Sequence, residues 1–313
     1  MGNVKDYGNW VQKVIDGIPC KINTATGQVR LGHERVVYED DIVLTLEMRE
    51  AQKQYREQKE EEERRKAKRR DISKKNGEHY FVPRLHGFPD LKPQTAARLI
   101  YLFTYADYSE RGGRLMLTQK TEMRKKDLKD ILGLSDDAVK NFLDEVCPKY
   151  ISFDDKEVMA ATSIAYKRGA LRDGRTYHRF YDHWVQTLYR NVQSRKHRYL
   201  GYVFRLLPYI SIEYNVLCFN PTEIDITKIE FMCLGELCEE IGFNKSHADR
   251  LLEAYGKIRF SVTDEDGTHM ERCVSITYDG LNRHNAKIYI NPRILYSGAH
   301  PEYVELLGAF SKD

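Results

Sequence analysis

Lys245, Ser246, His247 and Arg250 lie within six consecutive positions, directly after Asn244, and every one of these side chains can form hydrogen bonds. Such groups complement phosphates and the edges of DNA bases, and an arginine can hold guanine bidentately. The chemistry they offer is recognition rather than bond making. Patterns that make or break bonds are missing from the chain. There is no GxxxxGK followed by Ser or Thr, no GxGxxG after a strand, no HExxH and no His-x-His. His178 and His183 flank Trp184, with Asp173 and Asp182 nearby, as the densest set of metal-type donors. Histidines satisfied among aromatics are the simpler reading of that cluster. Cys238 reads as a packing residue, and no tyrosine has an Arg and His constellation at readable spacing. No catalytic residue, metal or cofactor is expected.

The cluster belongs to an internal repeat. One constant offset superposes Leu128 on Leu237, Gly133 on Gly242, Leu134 on Phe243, Ser135 on Asn244, and Phe142-Leu143 on Leu251-Leu252. Each copy reads as a helix, a glycine turn and a second helix. Glycine can take the left-handed conformation that ends the first helix, and Ser135 and Asn244 are good N-caps for the next. Two helices joined in this way make a helix-turn-helix, whose second helix exposes its N-terminal part to the major groove. The second copy presents the better reading edge. In the first, Ser135, Lys140 and Asn141 stand beside Asp136 and Asp137, which suit a helix N-terminus and repel phosphate.

Elements that position these edges can be read on either side. Residues 95–108 and 198–209 are apolar helices dense in Leu, Ile, Phe and Tyr, and residues 150–153 with 158–165 make a hairpin. A second hairpin is expected between residues 258–262 and 273–278, turning at Asp264-Glu265-Asp266-Gly267. Helix, helix-turn-helix and β-hairpin, twice, is the order of tandem winged helices. The acidic wing tips, Asp154-Asp155-Lys156-Glu157 and Asp264-Glu265-Asp266, would not grip a phosphate backbone. Cations gather instead at Arg124-Lys125-Lys126, at Lys167, Arg168, Arg172 and Arg175, and at Arg190, Arg195, Lys196 and Arg198, where a phosphate-contacting saddle between copies is set against a solvated linker.

The expected fold class is α+β, mainly α. Residues 1–46 form a β-rich element, with strands around Val29, Leu31, Val36-Val37 and 42–46. Residues 47–77 form a charged linker helix with nothing to bury, residues 78–190 and 191–300 form the two winged-helix domains, and 301–313 form a tail. In 313 residues, 41% hydrophobic and 31% charged, no apolar run reaches the roughly 20 residues a spanning helix needs. Six scattered cysteines without a CxxC pair suit a reducing compartment, and the N-terminus lacks an apolar signal core, so a cytoplasmic location away from membranes is expected.

With residues 95–102 and 200–209, this order resembles phage and plasmid proteins with paired winged helices and, more distantly, replication initiators of that build. The resemblance covers residues 78–298 and implies sequence-specific binding to repeated or palindromic double-stranded DNA, often by a homodimer. The expected activity is a replication initiator or transcription regulator without catalysis. The alternative is a phage protein that uses the same scaffold to bind or inhibit a host protein.

Overall fold

A computed structural model describes residues 10–15, 17–31, 46–108, 113–161, 167, 176–264, 267–278, 286–299 and 310. The chain divides into two compact units, Met1–Glu61 and Glu62–Asp313.

The first unit holds an antiparallel sheet of β1 (Trp10–Ile15), β2 (Ile18–Asn23) and β3 (Val29–Leu31). Gly17 and Gly27, both at positive φ, serve its turns. β1 and β2 fall within the stretch 1–46 expected to be β-rich, though the sequence places no particular strand on them, and β3 covers Val29 and Leu31. Of the other expected strands, Val36-Val37 and residues 42–45 of the 42–46 strand lie outside the described residues, and Leu46 begins a helix.

Helix α1 (Leu46–Asn76) runs from the first unit into the second. Its last turns correct the expectation that it buries nothing. Ile72 is 2% exposed, and Arg65 and Arg69 reach the buried carboxylate of Glu213, Arg69 at 3.9 Å. That carboxylate also accepts the Ala299 amide at 2.9 Å.

The second unit is α+β. In order come β4 (His79–Pro83), α2 (Pro93–Phe103), β5 (Met116–Thr118), β6 (Thr121–Glu122), α3 (Leu128–Leu132), α4 (Asp136–Val146), β7 (Ile151–Phe153) and β8 (Met159–Ala161). β9 (Tyr177–Tyr181) returns antiparallel to β4 and leads into α5 (Asp182–Asn191). Then follow α6 (His197–Arg205), α7 (Leu234–Glu240), α8 (Ala248–Gly256), β10 (Arg259–Asp264), β11 (Gly267–Arg272), β12 (Val274–Tyr278) and β13 (Ala286–Ile290). α2 and α6 are shorter than expected. Thr104 turns its hydroxyl back onto the Tyr101 carbonyl at 2.7 Å, and Pro208 cannot continue a helix.

The repeat extends to individual backbone hydrogen bonds. The Asp107 amide donates to Arg114 and that of Ser211 to Val216, each at 2.8 Å. Met116 donates to Tyr105 and Cys218 to Tyr209, again at 2.8 Å. Leu115 donates to Met159 and Leu217 to Ile288, both at 2.9 Å, while Met123 and Met232 donate back to Leu115 and Leu217. The short strand before each helix pair is thereby tied to β8 in the first copy and to β13 in the second. It follows that β12 and β13 are the counterparts of β7 and β8. The β10–β11 hairpin is additional, which corrects the expected partner of residues 258–262: Phe260 faces Glu271 and Val262 faces His269. Its neck closes where Cys273 donates to Ile258 at 2.9 Å, and Phe260 packs against Trp184 of α5.

α2 packs lengthwise on α6, so the first helix of one copy lies against the first helix of the other. Gly201 makes this possible, because a Cβ there would stand 1.6 Å from the Pro93 carbonyl oxygen. One apolar cluster, reaching from Ile72 to Tyr296, serves both copies.

Candidate nucleic-acid interface

In the second copy, α7 begins where the Cys233 amide donates to Glu236 at 2.7 Å, and it ends at Gly242, φ 66°. The Phe243 amide bonds back to Cys238 at 2.7 Å, and Asn244 Oδ1 then accepts the Ser246 amide at 2.9 Å. Residues Lys245–His247 form a 3-10 turn that opens α8. Asn244, Lys245, Ser246, His247, Asp249 and Arg250 are all exposed. Their partners differ. Asn244 Oδ1 also takes the Ser246 hydroxyl at 2.8 Å, so the cap consumes part of both side chains, and Lys245 is drawn onto Glu239. Among the described residues, Arg250 makes no hydrogen bond or ion pair.

The first copy repeats the frame with different charges. Arg124 donates its amide to Asp127 at 2.8 Å, Gly133 ends α3 at φ 62°, and Leu134 bonds back to Lys129 at 3.0 Å. Ser135 Oγ accepts the Ala138 amide at 3.4 Å, a looser cap than Asn244. Lys129 bridges the turn to Asp136 at 2.9 Å, whereas Glu239 bridges it to Lys245. The cross-turn ion pair thus has opposite polarity in the two copies. Such exposed pairs contribute little to stability, and they give each helix N-terminus its sign. Arg124, Lys125, Lys126, Asp137, Lys140 and Asn141 are exposed.

The acidic turn between β7 and β8 has a local cause. Asp154 Oδ1 accepts the amides of Lys156 and Val158, both at 2.9 Å, and these donors hold its carboxyl below the ordinary carboxylate value. It builds the turn. At the tip of the additional β10–β11 hairpin, Glu265 and Asp266 lie outside the described residues.

Among the gathered cations, Lys167 is a correction. Its side chain is 4% exposed, with the ammonium 2.5 Å from Asp182 and 3.1 Å from the Thr104 carbonyl, so it is closed off from phosphates. Burial pushes Asp182 up to about 6 in spite of that cation. Arg168, Arg172 and Arg175 lie outside the described residues, as does Asp173. Arg190, Arg195 and Arg198 are exposed and Lys196 is half-buried; Arg195 bonds Gln193 at 3.0 Å and Arg198 lies over the Tyr199 ring. His178 is fully buried and donates from Nε2 to Leu207 at 2.8 Å, while His183 sits edge-on to Trp184 at 4.7 Å. Among the described residues, no three His, Cys, Asp or Glu side chains gather as a metal site.

A cleft of about 490 Å³ opens beside the first glycine turn, between residues 130–133 and the junction of α5 with α6. Its aromatic wall is Tyr101, Tyr105 and Tyr189, with Tyr101 stacked on Tyr189 at 4.0 Å and bonded to the Tyr105 hydroxyl at 2.9 Å. Arg190 donates to the Tyr105 hydroxyl at 3.3 Å, and His197 forms part of the lining. Sequence reasoning placed Tyr101 and Tyr105 in an apolar packing helix and gave Tyr189 no role. Their density near a cationic junction was the available signal.

No helix among the described residues is long and apolar enough to cross a membrane. Compared with family models, curated proteins and solved structures, the chain shows no match.

Proposed function

We propose that the protein is a tandem winged-helix protein that binds double-stranded DNA at a specific sequence, as a replication initiator or transcription regulator of a phage or plasmid, without catalysis. One observation carries this reading. A helix, a glycine turn and a capped helix recur with the same hydrogen bonds at the start of the first helix and across the turn, and the second copy exposes Arg250, without a partner among the described residues, in the first turn of α8. An unpaired guanidinium at that place suits a guanine edge.

Selection of bound fragments from a random DNA pool at low salt tests it. A defined site should emerge, and Arg250→Ala should weaken binding to it by about 1–3 kcal/mol while relaxing the preference at one base pair. Lys245→Ala should weaken all sequences alike and flatten the dependence of log affinity on log salt by about one unit. An unenriched pool would remove the reading. A second reading is favoured by Asp136 and Asp137, exposed on the equivalent edge of the first copy: that edge docks a host protein. Salt-independent co-purification with a host enzyme, with no DNA shift at low salt, would select it.

A further inference from the structure

We propose that the docked half of α1 is a second contact with nucleic acid, a cationic ridge that follows the phosphate backbone of the bound duplex without reading its sequence. The proposal rests on the duplex-binding reading for its partner and adds a surface outside the helix-turn-helix edges. Arg64, Arg65, Lys66, Lys68, Arg69, Arg70, Lys74 and Lys75 stand in one stretch with a single anion, Asp71. Within the second unit this stretch is fixed in rotation. Arg65, Arg69, Ile72 and Asn76 recur at helical spacing on one side, where the two arginines meet Glu213, whose side chain is 6% exposed, and where Ile72 and Asn76 are buried. The other side carries Lys66, Arg70 and Lys74, four residues apart and all exposed. Each step of four advances about 6 Å along the axis, so the three cations form one row.

Ordinary helix electrostatics accounts for part of this row. Lys74 and Lys75 lie in the last turn, where cations complement the helix dipole, and Lys66 has Glu62 at 2.6 Å. Arg70 has no such reason. It lies before the last turn and four residues from both Lys66 and Lys74, a spacing at which like charges repel. Among the described residues, the side chains of Arg70, Lys74 and Lys75 make no hydrogen bond or ion pair. Upstream the same helix does neutralise itself, with Lys53 paired to Glu57 at 3.8 Å. Anions from outside would relieve the repulsion, and a row of cations fits a row of phosphates better than it fits a single anion. Because Glu213 and Ile72 already hold the helix in place, binding need not order it. Contacts of this kind position a duplex and carry no base information.

Salt titration of the full chain with a fluorescent random-sequence duplex tests the ridge, using the triple variant Arg70→Gln, Lys74→Gln, Lys75→Gln. Glutamine keeps the helix propensity, and circular dichroism reports folding. The slope of log affinity against log salt should flatten by about two to three units, and affinity at low salt should fall about tenfold or more. If the triple variant does not fold, Arg70→Gln alone decides, with an expected flattening of about one unit. Removing the same charge at the exposed Lys53, Lys120 and Lys257 should leave the slope as in the wild type. An unchanged slope in the ridge variant, an equal change in that control, or no wild-type binding to duplex at low salt would overturn the proposal. So would a ridge effect seen with single-stranded RNA and absent with duplex. A selected site whose binding keeps its salt slope in the ridge variant leaves the reading edge standing without the ridge. Ridge-dependent duplex binding with an unenriched pool leaves the ridge standing without the edge.

Discussion

Two kinds of glycine can be told apart by the cost of one methyl group. At Gly242 the space is open and φ is 66°, so Gly242→Ala should lose about 1 kcal/mol through backbone strain alone. At Gly201 the obstacle is the Pro93 carbonyl, which cannot yield without moving α2, and Gly201→Ala should lose about 3 kcal/mol or more. Urea denaturation of both variants checks the order, and equal losses would contradict the close helix crossing. The sequence showed Gly242 through its place in the repeat. Gly201 looked like any helical glycine, because its reason lies on another helix. Buried histidines add a pH dependence. Burial brings His178 down to about 4 from an ordinary 6.5, and His79 likewise. Between those values the unfolded chain binds protons that the native chain refuses, so stability falls as pH drops from 6.5 to 4. Asp182, raised to about 6, works in the opposite direction, because the native state keeps its proton longer and gains on acidification. The melting temperature should therefore fall on acidification in the wild type, and less steeply in His178→Gln.

Elements were legible where local pattern alone determines them. The charged composition of α1 announced a helix, but its anchor is a single apolar residue, Ile72, and two arginines paired to Glu213, far away in sequence. No periodicity can reveal such a partner. Truncating Glu213 leaves cations facing a buried site, and losing one member of a buried pair costs roughly 3–5 kcal/mol. Glu213→Ala should accordingly open α1 to trypsin at Arg65 and Arg69, with faster cleavage there than in the wild type. Unchanged digestion would mean that Ile72 holds the helix alone. The second hairpin shows the converse error. Phe260 and Val262 alternate as a strand should, yet residues 267–272 and 273–278 are both extended enough to pair with them. The nearer segment is the partner, consistent with the lower entropy cost of closing a short loop.

At the scale of the whole molecule, the duplication was visible because caps and glycine turns need particular residue types. The tyrosine cleft was not, since its walls come from α2, α5 and the end of α3 and share no motif. The two copies differ in a few charges at the same positions. Asp136 and Asp137 occupy the places of Lys245 and Ser246, so Asp136→Lys with Asp137→Ser gives the first edge the sign of the second. On the proposed reading, non-specific duplex affinity should rise by roughly tenfold or more at low salt, because a change of three units of charge, two from Asp136→Lys and one from Asp137→Ser, attracts phosphate. A mobility shift that does not move would assign that edge to another partner.

Because Gly201 lets α6 touch the backbone of α2, there is no slack between the two halves of this core. The span from one helix tip to the other behaves as a ruler of fixed length. If the proposed reading holds and both edges engage one duplex, a double helix whose grooves fall out of step with that ruler would have to twist or bend, so that the compliance, and with it some of the selectivity, would reside in the nucleic acid.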